Sequence, residues 1–444
     1  MIGKGRALLM ASVLGLVFTY AAGLGLRGRG TATESPRSSG PGPGDPSASN
    51  DREPFDPGLV DKNVAFWKAQ AGRDPEGALE LRELAGAYLA RLRETGDIND
   101  AVQAEDAARQ SLKILNRGNS AATIRLARAL LAQHRFSEAL QEARRAAATD
   151  PQAGRLVADV LIELGDYDAA RRALADTPRE PDDLNYLALR ARLDQVDGRP
   201  ESALRLLREA QRFADGRPDM PAETVAWYHA MIGHALIDAG KLDEGERSCQ
   251  DALKVFPRDY RALTALAAIS AWRGDWTGAV ARGEKAVAIA PQNPEALKLL
   301  GDAHAALGRE AEAGRHYQLL KDLAHSFPRI YDRHWALFCA ENGRDLDEAL
   351  ALARKDLELR RDIHAFDTLA WVCFQKGMLP EAEAAMKSAL ARGTREATLL
   401  YHAGMIARAS GDLARAKDGF TRARATNPHA IPLRWLRWLD SKAD

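Results

Sequence analysis

The chain carries no excess of either charge: 62 Lys+Arg offset 62 Asp+Glu over 444 residues. Nucleic-acid binders need a basic surplus to displace phosphate counterions, and an acidic disordered tail would tip the balance the other way. Neither class fits. Aromatics are scarce, at 6% against a hydrophobic fraction of 46%, so the apolar content is aliphatic and rich in alanine. Strands favour β-branched and aromatic side chains, whereas close-packed helices accept alanine. Cysteine is nearly missing. Cys249, Cys339 and Cys373 are the only three, each in an apolar helical stretch. That odd number without ligand spacing excludes a disulfide framework, and small buried core roles are expected. H-E-x-x-H, G-x-S-x-G and Walker A patterns are absent too, so no catalytic constellation, cofactor or metal site is expected.

What is present starts with an uncharged run, Ala7 to Leu26, set between Lys4/Arg6 and Arg27/Arg29. Twenty helical residues span roughly 30 Å, the thickness of a bilayer core. The basic start and the small residues Ala21, Ala22 and Gly23 suit a signal peptide as well. Residues 1–30 are expected to export the chain to a bacterial cell envelope (periplasmic or secreted) or to anchor it in the membrane there. Within this stretch Gly23-Leu24-Gly25-Leu26-Arg27-Gly28 spells G-x-G-x-x-G. It lacks the preceding strand and following helix of a dinucleotide site. Residues 31–58 hold six prolines among Ser and Gly, and read as a disordered tether.

From Val60 onward the pattern is helical and periodic. Turn pairs recur at Gly96-Asp97, His134-Arg135, Gly165-Asp166, Gly198-Arg199 and Gly240-Lys241. They continue at Gly274-Asp275, Gly308-Arg309, Gly343-Arg344, Gly377-Met378 and Gly411-Asp412, with a commonest spacing of 34 residues. A small residue follows each turn by five or six positions, from Ala101 to Ala416, and another precedes most turns by seven. A third small position lies in the second helix, as at Ala108, Ala252 and Ala423, and Pro151, Pro257, Pro291 and Pro428 end that helix. The unit is an antiparallel helix pair that must stack on its neighbours to bury its apolar face.

Runs such as "LIDAGKLDEGERSCQDALKVFPRD" and "RASGDLARAKDGFTRARATNPHA" resemble tetratricopeptide repeats, over about residues 82–428. The whole is similar to bacterial envelope-associated proteins of that family. The resemblance implies an all-α solenoid of about ten helix-turn-helix repeats, with the first helix of each pair lining a concave surface that binds protein or peptide. A capping region is expected over 59–81, repeats 1–4 over 82–212 and a loop over 213–225. Repeats 5–10 follow over 226–428, and a second capping helix with Trp435 and Trp438 over 429–444.

The family's carboxylate-binding groove uses Lys and Asn one helical turn apart. The matching pairs here, Ile124/Arg128, Ala230/His234 and Lys298/Asp302 among them, lack the Asn, so that clamp is not expected. A different set is expected to face the groove of the last four repeats: Lys298, Asp302, Arg333, His334, His364, Asp367, Trp371, Tyr401, His402 and Met405. Such residue types are common at binding hot spots, although helical spacing of this kind also marks packing between repeats. Lys298, Arg333, Asp367 and Tyr401 are expected to form a ladder, and His364 and Asp367 a polar pair. The reading that follows is a non-catalytic scaffold for a protein or peptide ligand, attached to the membrane if the leader is uncleaved, with no nucleic-acid partner. The alternative is an enzyme or small-ligand-binding protein using His, Asp and Tyr of the C-terminal repeats.

Overall fold

The computed structural model describes residues 56–180 and 182–430. The leader, residues 31–55 of the tether, and Trp435 and Trp438 of the C-terminal cap lie outside them. Among the described residues every regular element is helical, and no helix is long and apolar enough to cross a membrane. One capping helix, Leu59–Arg73, precedes ten hairpins. These span 78–114, 120–147, 154–175, 184–215, 222–255, 260–289, 294–326, 332–359, 363–389 and 397–426, and are numbered here as repeats 1 to 10.

Local chemistry explains each hairpin. All ten turns carry a residue with positive φ, between 54° and 83°, and in nine it is the glycine of the turn pair. His134 is the exception, at φ 54°. Beyond several turns an Asp caps the next helix, as Asp166 does by accepting from the Ala169 amide at 3.1 Å. The recurring small residues lie where the paired helices touch: Ala101, Ala139, Ala170, Ala279 and Ala416 are fully buried. Cys249, Cys339 and Cys373 are free thiols in the core.

First helices face inward and second helices outward. In repeat 6 the first helix, Tyr260–Trp272, buries eleven residues and the second, Trp276–Ile289, four, so the first is enclosed on nearly every side. The loop expected over 213–225 is confined to 216–221 between two helices. Leu207 and Ala214 before it share one apolar cluster with Val225 and Trp227 after it, so the core continues across it.

What encloses the first helices is a second coil of the same solenoid. Each of the first five hairpin turns abuts the loop that follows the hairpin five places further along. The Gly96 turn meets the loop before repeat 7, where Gln292 accepts from the Ile98 amide at 2.9 Å. His134 donates from Nδ1 to the Arg329 carbonyl at 2.9 Å, before repeat 8. The Arg361 amide donates to the Leu164 carbonyl at 2.9 Å, and the Ile363 amide to the Tyr167 hydroxyl at 3.0 Å. Arg392 pairs with Asp168 and Asp197 before repeat 10, and Asn427 donates to the Ile237 carbonyl after it. One hydrophobic cluster accordingly unites residues of repeats 1–4 with residues of repeats 7–10.

Two glycines separate the cost of the turn from the cost of the seam between coils. A methyl group at Gly198 would lie 2.1 Å from the Gly393 carbonyl oxygen, whereas one at Gly308, also at positive φ, meets nothing within 4 Å. Gly308→Ala is expected to cost about 1–2 kcal/mol in chemical denaturation, and Gly198→Ala roughly 2–5 kcal/mol. Equal losses would mean that the coils do not touch.

Candidate functional site

The inward faces of the first helices hold the polar side chains that the sequence placed in a groove. Most of them are enclosed rather than open. Arg333 is 2% exposed and pairs with Asp356 and Asp362, each at 2.7 Å. Arg360 reaches Asp356 at 2.8 Å and, across the seam, lies 3.8 Å from Glu163 of the first coil. Glu163 in turn pairs with Arg192, which also holds Asp159 at 2.5 Å. The chain of charges therefore runs unbroken from one coil to the other. Arg333 and Arg360 hold Asp362 and Asp356 below the ordinary carboxylate range against the opposing effect of burial. Burial wins at Asp159, pushing it up to about 6.

Trp371, Tyr401 and His402 are core residues, not an exposed stripe. The Trp371 and His402 rings stack with centroids 3.9 Å apart, Tyr401 packs on Phe420, and all three are at most 2% exposed. Asp367, also buried, accepts from His402 Nδ1 at 2.9 Å. The expected His364–Asp367 pair is not made; His364 lies 3.6 Å from Glu396 instead. Lys298, Arg333 and Asp367 of the expected ladder each take a different partner. Lys298 bridges Asp302 at 2.9 Å and Glu341 at 3.0 Å, and Asp302 accepts from the Tyr317 hydroxyl. Lys298, Asp302, His364 and Met405 keep partial exposure, and His334 lines a cavity. The physical reason for the difference is packing between adjacent repeats: Arg333 pairs with Asp356 and Asp362, and Trp371 and Asp367 of repeat 9 pack on His402 of repeat 10.

The cavity was not legible in the sequence. It measures about 130 Å³ and lies between the turns of repeats 1 and 2 and the loops before repeats 6, 7 and 8. His134, His234, Tyr260, Glu295, Tyr331 and His334 line it. One sequence signal pointed there: His134 is the sole non-glycine among the ten turn residues. A side chain tolerated at positive φ has work to do, and here it bonds the other coil. His229 and His234 diverge as their spacing requires; His229 contacts Asp215 at 3.0 Å while His234 is fully buried. Among the described residues no group of three His, Cys, Asp or Glu is placed to hold a metal ion.

The buried histidines set the acid response of the fold. Burial holds His134 and His334 down to about 3 and His234 down to about 4, the last with help from Arg261. An unfolded chain takes up these protons near pH 6.5. The stability these histidines supply is therefore complete above that pH and is lost as the pH drops toward 4. His234→Gln, neutral throughout, is expected to remove up to about 1.4 kcal/mol per pH unit of that decline in denaturant titrations between pH 6.5 and 4. Arg333→Met strands two buried carboxylates and is expected to cost roughly 3–5 kcal/mol at pH 7.

In sequence, residues 230–294 and 273–326 match the tetratricopeptide repeat family. No curated protein matches the chain. Among solved structures, yeast Tom70 is 12% identical, with 86% of this chain and 92% of that one covered and a TM-score of 0.37. A tetratricopeptide repeat protein from Parabacteroides merdae is 19% identical over 58% of this chain and 96% of its own, at a TM-score of 0.35. PilW, a type IV pilus biogenesis factor, is 22% identical over 48% of this chain and 98% of its own, at 0.30. The described residues form an α-solenoid of ten hairpins turning on positive-φ residues, and its centre, residues 230–326, matches the tetratricopeptide repeat in sequence.

Proposed function

We propose that this solenoid is a non-catalytic scaffold, exported or tethered at a cell envelope, that holds an extended segment of a partner protein on the inner face of its last four repeats. The observation that carries the reading is the partly exposed polar set on that face. Lys298, Asp302 and His364 stay accessible where the neighbouring Arg333, Asp367 and His402 are sealed. An inner face narrowed by a second coil suits one extended strand of peptide better than a folded domain. Charge narrows the partner further. Among the accessible groups Asp302 is the carboxylate, and it favours a segment bearing Lys or Arg. The uncharged run Ala7–Leu26 and the proline-rich stretch after it support the address.

The reading is tested on the purified chain with arrays of unstructured peptides that differ only in charge. Basic peptides are expected to bind, with affinity falling as salt rises, and Asp302→Lys is expected to weaken them about tenfold at low salt. Binding indifferent to peptide charge, or unaltered by Asp302→Lys, would sink it. Fractionation of the native host tests the address, with the chain expected in the envelope.

A further inference from the structure

The seam between the coils keeps one register along its whole length. Besides the five hairpin turns, the head of the capping helix takes part: Arg258, after repeat 5, donates to the Pro57 carbonyl at 3.1 Å. A hydrogen bond crosses at each of these six pairings, and its partners are always 190 to 201 residues apart. Spacing this regular belongs to two edges of the coil, one carrying turns and the other loops. The ten hairpins leave part of each edge unused. By the same register the turns of repeats 6 to 9 need four further loops, and the loops after repeats 1 to 4 need four further turns.

The unused turns are open. A methyl group at Gly274, Gly308, Gly343 or Gly377 would meet nothing within 4 Å, whereas one at Gly165 or Gly198 would strike backbone of the other coil. The two unused edges also complement each other. In the register of the seam, the turns of repeats 6 to 9 fall on the loops after repeats 1 to 4. Trp276, partly exposed at the first of these turns, then lies over Ile114 and Leu115, which are 44% and 49% exposed. At the last, Met378 lies over Met220, both partly exposed. Between these apolar ends, exposed Arg309 lies over Asp150 and exposed Arg344 over Glu180. The seam inside the chain has the same make-up, with Arg395 on Glu201 and Arg392 on Asp168 beside an apolar cluster.

We propose that a second copy of this chain docks the loops after its repeats 1 to 4 on the turns of repeats 6 to 9, repeating the seam between molecules. The contact joins two different surfaces, so each copy keeps one edge free after docking. Because the second copy is displaced along the solenoid axis, the contact does not close into a ring, and assembly continues as a filament. A symmetric dimer through either edge is disfavoured, since it would bring Arg309 and Arg344 of one copy near those of the other, or Asp150 and Glu180 near theirs. The edges lie apart from the peptide face of the last four repeats, so either reading can fail without the other.

The experiment follows the purified full chain by light scattering and sedimentation at rising concentration, with electron microscopy of the products. The mass is expected to climb past that of two chains without a plateau, and filaments to appear. Arg309→Glu/Arg344→Glu spoils the turn edge and Ile114→Asp/Leu115→Asp the loop edge. Each is expected to weaken association about tenfold or more. All four side chains are exposed, which favours folding of both variants; should the first unfold, Arg309→Glu alone replaces it. A mixture of the two variants retains one sound pair of edges, and is expected to form a complex of two chains and nothing larger. The proposal is overturned if the native chain stays monomeric at every concentration, or if its mass settles at a closed dimer or ring. It is equally overturned if a folded variant associates as the native chain does, as association through the leader would require, or if the mixture fails to stop at two chains.

Discussion

Everything distinctive about this solenoid depends on the close approach of one coil to the next. A repeat array made of helix pairs has only nearest-neighbour contacts by construction, and its stability is then a sum of local terms. Here the hairpin turn of each of the first five repeats presses against a loop almost two hundred residues away. Gly198 against Gly393 and Gly165 against Arg361 leave no room for a side chain on the first partner. Backbone hydrogen bonds cross at Leu164 and Arg361. Contacts of such long sequence separation carry a large closure entropy. They hold because an apolar cluster and a buried chain of charges cross the same seam.

That chain of charges is the most consequential result of coil closure. Asp159, Arg192, Glu163, Arg360, Asp356, Arg333 and Asp362 alternate in sign from repeat 3 to repeat 9. Removing water from such groups is expensive, and their mutual attraction repays it only when geometry and stoichiometry are both right. The arrangement therefore contributes register more than raw stability.

The division between what was legible beforehand and what was not follows the range of the interactions. Turn glycines, small packing residues and core cysteines obey rules that act within one helix pair, and each stood where the 34-residue period put it. The same period assigns Arg333, Asp367 and Trp371 to first helices, where all three are buried. It cannot say whether an inward face is open, because that depends on how tightly the array winds. Winding is set by small rotations at each junction, and no single residue announces them. Hence Tyr401 and His402 read as a binding stripe and are core, while His234, hidden in an apolar helix, lines a cavity. His134 alone broke the local rule visibly, and it lies on the seam.

A closed coil also changes how the molecule can work. Lys298, Asp302 and His364 stay partly exposed with the coils in contact, so opening of the coils would widen access to the inner face rather than create it. The most direct measurement is a pulsed electron–electron distance between spin labels at exposed Arg172 and Lys387, one on each coil beside the Asp168–Arg392 contact. The three native cysteines are buried and leave these labels unambiguous. Coil closure predicts one short, narrow distance that does not change with protein concentration. A long, broad distribution would contradict it and return the chain to an open, single-layered superhelix.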